Sequence, residues 1–180
     1  PLFNTKSYLR IKYLILSSNF RVMMLSKWFV SAQGSIKRDG SLFADRSFNI
    51  VCLDDHKLFS TAISEYCIKP FFPLAKLEIL TNGDDAYTYI KSQIDHNSRV
   101  DLFITDINHP GLKGDALISM IRQYEKQKNC SFRIPVMVIT MMPYAFVPQL
   151  VAAGIDMVDC YFSKTAEAYE IVDGIEELLY

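Results

Sequence analysis

The feature that most constrains this chain is a rhythm. Short apolar runs end abruptly on a polar side chain, and each is followed by a turn and a helical pattern. The sharpest case is the stretch 99–114. Val100 to Ile104 is mostly apolar and reads as a short buried strand. The run ends at the carboxylate Asp106, after which Pro110, Gly111 and Gly114 forbid either a helix or a strand to continue. A carboxylate at the exit of a buried strand, followed by a turn-rich loop, lies where open α/β sheets keep their chemistry.

The same rhythm runs from Phe48 to the end. Strands are predicted at 49–53, 77–80, 100–105, 134–139 and 157–162, and helices at 57–68, 86–94, 115–124, 143–153 and 166–179. Pro70 and Gly154 stop two of those helices. Five βα units in about 130 residues, with near-continuous apolar strands, imply a parallel sheet buried on both faces and right-handed crossovers. The fold class expected is α/β, a doubly wound five-stranded parallel sheet of order 2-1-3-4-5, flavodoxin/CheY-like. Residues 48–180 form this domain, and 1–47 an N-terminal extension or linker.

In a parallel sheet all C-terminal strand ends share one edge. Strand one ends at Asp54 and Asp55, strand three at Asp106, strand four at Thr140 and strand five at Lys164. Strands one and three flank the point where the strand order reverses, so three carboxylates converge on one crevice. Clustered carboxylates repel unless a cation neutralises them. A hard, oxygen-seeking divalent ion, Mg²⁺ above all, answers that need. The bland alternatives are an N-cap role for Asp54-Asp55, a solvated Lys164, an ordinary polar strand end at Thr140, and plain packing for Tyr161. His56 reads simply as the start of the first helix.

Charge narrows the function classes. Residues 1–47 carry eight basic and two acidic residues (+6), and the remainder eleven and eighteen (−7), giving the net −1. An acidic body does not point to nucleic acid. Cys52, Cys67, Cys130 and Cys160 are few, widely spaced and without a C-x-x-C pair, so they read as reduced thiols of a cytoplasmic protein. No run approaches the roughly 20 apolar residues of a membrane span. The basic stretch 1–47 is open to three readings: the tail of an upstream domain, an arm contacting a membrane or partner, or sequence translated ahead of the true start.

From Phe48 to Tyr180 the pattern resembles the receiver domain of two-component response regulators. Asp54-Asp55 match the family's metal-binding acidic pair, Asp106 its phospho-accepting aspartate, and Pro110 and Gly114 its loop proline and glycine. Thr140 matches the hydroxyl residue that meets the phosphoryl group, Lys164 the family lysine, and Tyr161 the switch aromatic. The resemblance implies a phosphorelay module that takes a phosphoryl group from a histidine kinase or phosphotransfer protein onto Asp106. It implies Mg²⁺ held by Asp54, Asp55, Asp106 and the backbone carbonyl of Asn108, with no catalysis beyond its own phosphorylation and dephosphorylation. It also implies a switch through Thr140 and Tyr161 that reshapes the face of helix 4 (143–153), strand 5 and helix 5 for a downstream partner or self-association. The module would be stand-alone or the C-terminal receiver of a hybrid kinase.

Three positions depart from the family pattern. His109 stands where Met is frequent, Met141 where a small residue leaves room for the phosphoryl group, and Thr165 where Pro follows the lysine. Two other function classes follow: a degenerate receiver acting as an unphosphorylated interaction module, and a small aspartate-nucleophile phosphatase. The phosphatases resemble a D-x-D after their first strand, whereas Asp106-Ile107-Asn108 follows the third and lacks the second acid.

Overall fold

The computed structural model describes Phe43, residues 45–142 and residues 157–180. The sheet order is β2-β1-β3-β4-β5, all parallel. Its strands are β1 (Asn49–Leu53), β2 (Lys76–Leu80), β3 (Leu102–Thr105), β4 (Val136–Thr140) and β5 (Cys160–Ser163). The described helices are α1 (Lys57–Ala62), which widens directly into a π-helical segment (Ile63–Ile68), α2 (Gly83–Asp95), α3 (Gly114–Gln127) and the C-terminal α4 (Ala168–Leu179). The expected order 2-1-3-4-5 is therefore the observed one. The helix expected at 143–153 and the stretch 1–42 lie outside the described residues.

Alternation along the strands explains the two-sided core. Ile50, Cys52, Leu102, Ile104, Met137 and Ile139 face one side, where they pack with Ile63 and Cys67 and with Ile171, Val172 and Ile175 of α4. Val51, Leu53, Phe103, Val136 and Val138 face the other, against Ala86 and Ile90 of α2 and Leu117, Ile118 and Ile121 of α3. Successive side chains point to opposite faces, so a strand apolar at every position must be covered twice. Phe43, Phe48 and Phe72 add an aromatic cluster to the first core, with ring centroids 5.2–6.0 Å apart. Among the described residues no helix is long and apolar enough to cross a membrane.

Several boundaries differ from the sequence reading, and two of the shifts have a clear local reason. The second helix begins at Gly83 rather than 86, because the Asn82 side chain accepts a hydrogen bond from the Asp84 backbone N–H at 2.8 Å and caps it. Gly83 donates its N–H to the Pro110 carbonyl at 2.9 Å, and a Cβ there would lie 2.0 Å from the Leu112 carbonyl oxygen. Only glycine permits that approach between α2 and the loop after β3. The fifth strand begins at Cys160 rather than 157, since the Asp159 carboxylate itself takes the Val136 N–H at 2.7 Å and the Arg133 guanidinium. The π-helical segment has no counterpart in the sequence reading.

Candidate functional site

The register aligns the strand ends. Leu53 stands opposite both Leu80 and Thr105, so the chain leaves β1 and β3 at the same level. The ladder continues one residue into the site: Asp54 N–H donates to Leu80 O, Asp106 N–H to Leu53 O, and Lys164 N–H to Thr140 O, each at 3.0 Å. The backbone of each is thereby fixed by the sheet rather than by a loop, which is the firmer support for a chemical group.

The side chains meet. The Lys164 ammonium lies 2.6 Å from Asp54 Oδ2 and 2.6 Å from Asp106 Oδ2, with all three side chains no more than 6% exposed. The face of Phe59, on α1, stands 4.8 Å from the Lys164 nitrogen and closes the site from that side. The other Asp106 oxygen, Oδ1, accepts the backbone N–H of Ile107 at 2.6 Å and of Asn108 at 3.2 Å. Asp54 Oδ1 accepts the His56 N–H at 2.8 Å. Asp55 is exposed, and its Oδ1 lies 3.0 Å from His56 Nδ1.

The two buried acids separate in acidity. Burial pushes Asp106 up, but the Lys164 hydrogen bond, the Thr140 hydroxyl, the Lys164 charge and the Asn108 N–H together hold it below the ordinary aspartate range. For Asp54 burial outweighs the same lysine, and its pKa is raised. Asp106 therefore keeps its charge, and a charged carboxylate is the nucleophilic form.

Every residue singled out from the sequence lies at this edge or beside it. Thr140 is buried at the end of β4, its Oγ1 accepting the Met142 N–H at 3.3 Å. Tyr161 is half-buried on β5 and donates its hydroxyl to the Met142 carbonyl at 2.8 Å. Asn108 is exposed at the loop. Met141 is 53% exposed, so it stands at the rim rather than packed inside. His109 is buried, its Nδ1 donating to the Pro110 carbonyl at 3.1 Å, while its Nε2 is buried with no hydrogen-bond partner among the described residues. The Lys164–Thr165 peptide is trans.

Two groups escaped the sequence reading: Phe59 over the lysine, and the His56 ring, which turns back toward the acids. For His56 the signal was adjacency to Asp54-Asp55. For Phe59 there was none, since its role depends on where a lysine from β5 arrives. Among the described residues, Asp54, Asp55, His56 and Asp106 each offer a ligand atom, all within 4.8 Å of one another. This cluster can chelate a divalent metal.

The loop behind Asp106 is shaped by Gly114. A Cβ there would lie 2.7 Å from the Asp106 carbonyl oxygen and 2.8 Å from Ile107 Cα, both backbone atoms that cannot swing away. Gly114→Ala is expected to destabilise the fold by about 1–3 kcal/mol through this overpacking, read as a lowered urea midpoint. An unchanged midpoint would show that the loop yields freely.

No family model and no curated protein matches the chain. Solved structures do. The receiver domain of the histidine kinase CKI1 from Arabidopsis thaliana, complexed with Mg²⁺ and BeF₃⁻, matches at 16% identity and TM-score 0.60, covering 78% of this chain and 93% of that one. The phosphorylated cyanobacterial phytochrome response regulator RcpA matches at 24% identity and TM-score 0.59, over 74% and 94%. The BeF₃-activated N-terminal receiver domain of Klebsiella pneumoniae RstA matches at 20% identity and TM-score 0.57, over 73% and 97%. Strand order, helix placement and these likenesses agree: the chain has the CheY-like receiver fold.

Proposed function

We propose that this chain is a phospho-accepting receiver of a two-component phosphorelay, and that Asp106 is its acceptor. The observation that carries the reading is the setting of Asp106. It is a buried carboxylate kept ionised at the crevice end of β3, with Lys164 on one oxygen and two backbone N–H groups on the other. Phosphoryl transfer asks mainly for such positioning and charge neutralisation.

In the reaction an Asp106 oxygen forms a bond to phosphorus while the P–N bond of a phosphohistidine, or the P–O bond of an acyl phosphate, breaks. The bonding pair leaves with the imidazole or the carboxylate. Lys164 and the Thr140 hydroxyl stand where two phosphoryl oxygens would arrive and take up their charge. Asp54, Asp55, Asp106 and the Asn108 backbone carbonyl would hold Mg²⁺, a donor set of oxygens that fits a hard cation. When bound, the ion supplies neutralisation of the remaining phosphoryl charge. Asp55, exposed and not engaged by Lys164, is the more available direct ligand, whereas Asp54 is tied to the lysine.

Once phosphorylated, Thr140 is drawn toward the phosphoryl group and gives up the Met142 N–H. The Tyr161 hydroxyl bond to the Met142 carbonyl is then the next to yield. The surface changed is that of β5 and α4, to which a downstream protein or a second copy would bind. A histidine kinase or phosphotransfer protein is the donor, in the cytoplasm, where the four free thiols stay reduced.

Incubation with acetyl phosphate and Mg²⁺ tests the reading by intact mass. One base-labile phosphate is expected. A chain that takes none is a degenerate receiver, and one that turns over phosphoesters is a phosphatase.

A further inference from the structure

The residue after the acidic pair is in an unexpected posture. His56 occupies the N-cap of α1 with extended backbone (φ −87°, ψ 90°), yet its side chain makes no capping hydrogen bond. Ser, Thr, Asp or Asn would stabilise that position by satisfying a helix N–H. The imidazole turns toward the acids instead, with Nδ1 3.0 Å from Asp55 Oδ1 and 3.5 Å from Asp54 Oδ1.

Those two separations have a chemical meaning. Metal–nitrogen and metal–oxygen bonds of about 2.1 Å that meet at angles of about 90° and about 110° span N···O edges of about 3.0 and about 3.4 Å. Each of the two N···O separations thus matches that between neighbouring ligands of one ion. Lys164 engages the opposite oxygens, Asp54 Oδ2 and Asp106 Oδ2, from the buried side. Asp55 and His56 are the exposed members of the cluster, so the solvent side remains for an ion.

Resting on the reading of these acids as metal ligands, we infer that His56 is an additional ligand. Its imidazole makes this a mixed nitrogen–oxygen site that selects a borderline first-row transition-metal ion over Mg²⁺. Imidazole suits such ions, while Mg²⁺ takes oxygen and keeps its waters. The site's ion preference is then set by a residue outside the acidic set.

Calorimetric titration of the whole chain with Ni²⁺ and, separately, Mg²⁺ tests this without any phosphoryl donor. The parent should bind both. His56→Ala should weaken Ni²⁺ by about tenfold or more and Mg²⁺ by less than about threefold, as expected when only the nitrogen ligand is lost. His56→Ser, which restores a favoured N-cap, should do the same, and keeps the test usable if the alanine variant folds poorly. With Co²⁺, a paramagnetically shifted exchangeable imidazole proton should appear in the parent NMR spectrum and vanish in both variants. Unchanged Ni²⁺ affinity, or an equal loss for the two metals, means that His56 is only an ion-pair partner of Asp55 and overturns the inference. If the parent binds neither metal, the metal reading of the acids falls with it. If the parent binds both and the variants match it, this inference alone falls.

Discussion

Asp106→Asn is expected to abolish acceptance of phosphate from acetyl phosphate. The amide has the shape of the carboxylate but neither its charge nor its nucleophilic oxygen. It also cannot serve both sets of donors. Lys164 presents N–H groups to Oδ2, while Ile107 and Asn108 present theirs to Oδ1. An asparagine has one accepting oxygen, so one face must set donor against donor. A buried group left in that state costs about 1–3 kcal/mol, partly offset by removing a negative charge beside Asp54. The variant should therefore fold, with somewhat changed stability and no gain in mass. Retention of a base-labile phosphate by a folded Asp106→Asn protein would refute the acceptor assignment. Circular dichroism on the same sample separates that outcome from unfolding.

Replacing Lys164 with Met should give the largest stability change. The ammonium is shared by two carboxylates within 2.6 Å, and its removal leaves two acids in one buried place. Removing one partner of a buried ion pair costs about 3–5 kcal/mol. A loss of about 3 kcal/mol at neutral pH is expected, the low end, because two adjacent acids can share one proton. The sign with pH follows. In the parent, the depressed Asp106 contributes stability above its unfolded pKa, and that contribution is lost as pH falls through the lower folded value. The raised Asp54 acts oppositely, favouring the fold at low pH and losing that as pH rises through its folded pKa. Without the lysine both acids are raised, so the variant weakens as pH rises. Only below the depressed folded value of Asp106, itself under the ordinary aspartate pKa of about 3.9, do both acids bind protons in either state, and there parent and variant should converge. Urea unfolding at several pH values measures this. A constant gap down to low pH would mean that the lysine acts through packing and not through charge.

Much of this architecture could be read from residue order, and the reason is local. Strands such as Val136–Thr140 are apolar at four consecutive positions and end on one polar side chain, so burial on both faces and the direction of the site follow together. A parallel sheet then delivers Asp54, Asp106, Thr140 and Lys164 to one edge without further information. What stayed hidden depends on angles and on arrivals from afar. The orientation of His56 is set by the extended N-cap backbone and the Asp54 carboxylate on its own N–H. The closure of the site by Phe59 needs the lysine from β5. The late start of β5 reflects Asp159 taking over a backbone partner across the sheet. The widening of α1 at Ile63–Ile68 has no signature in its residues, which are those of an ordinary amphipathic helix.

The shared lysine also has a consequence in time. Asp54 is made with the first strand and Asp106 with the third, but Lys164 follows Asp106 by 58 residues. On a chain emerging from the ribosome at about 5–20 residues per second, the two acids exist for seconds before their cation does. Closing so distant a link is slow compared with forming local helices. Until the last βα unit docks, the edge between β1 and β3 holds like charges with nothing between them. The assembled site is therefore among the last features of this domain to form, and a domain whose final βα unit has not docked holds two acids without their cation.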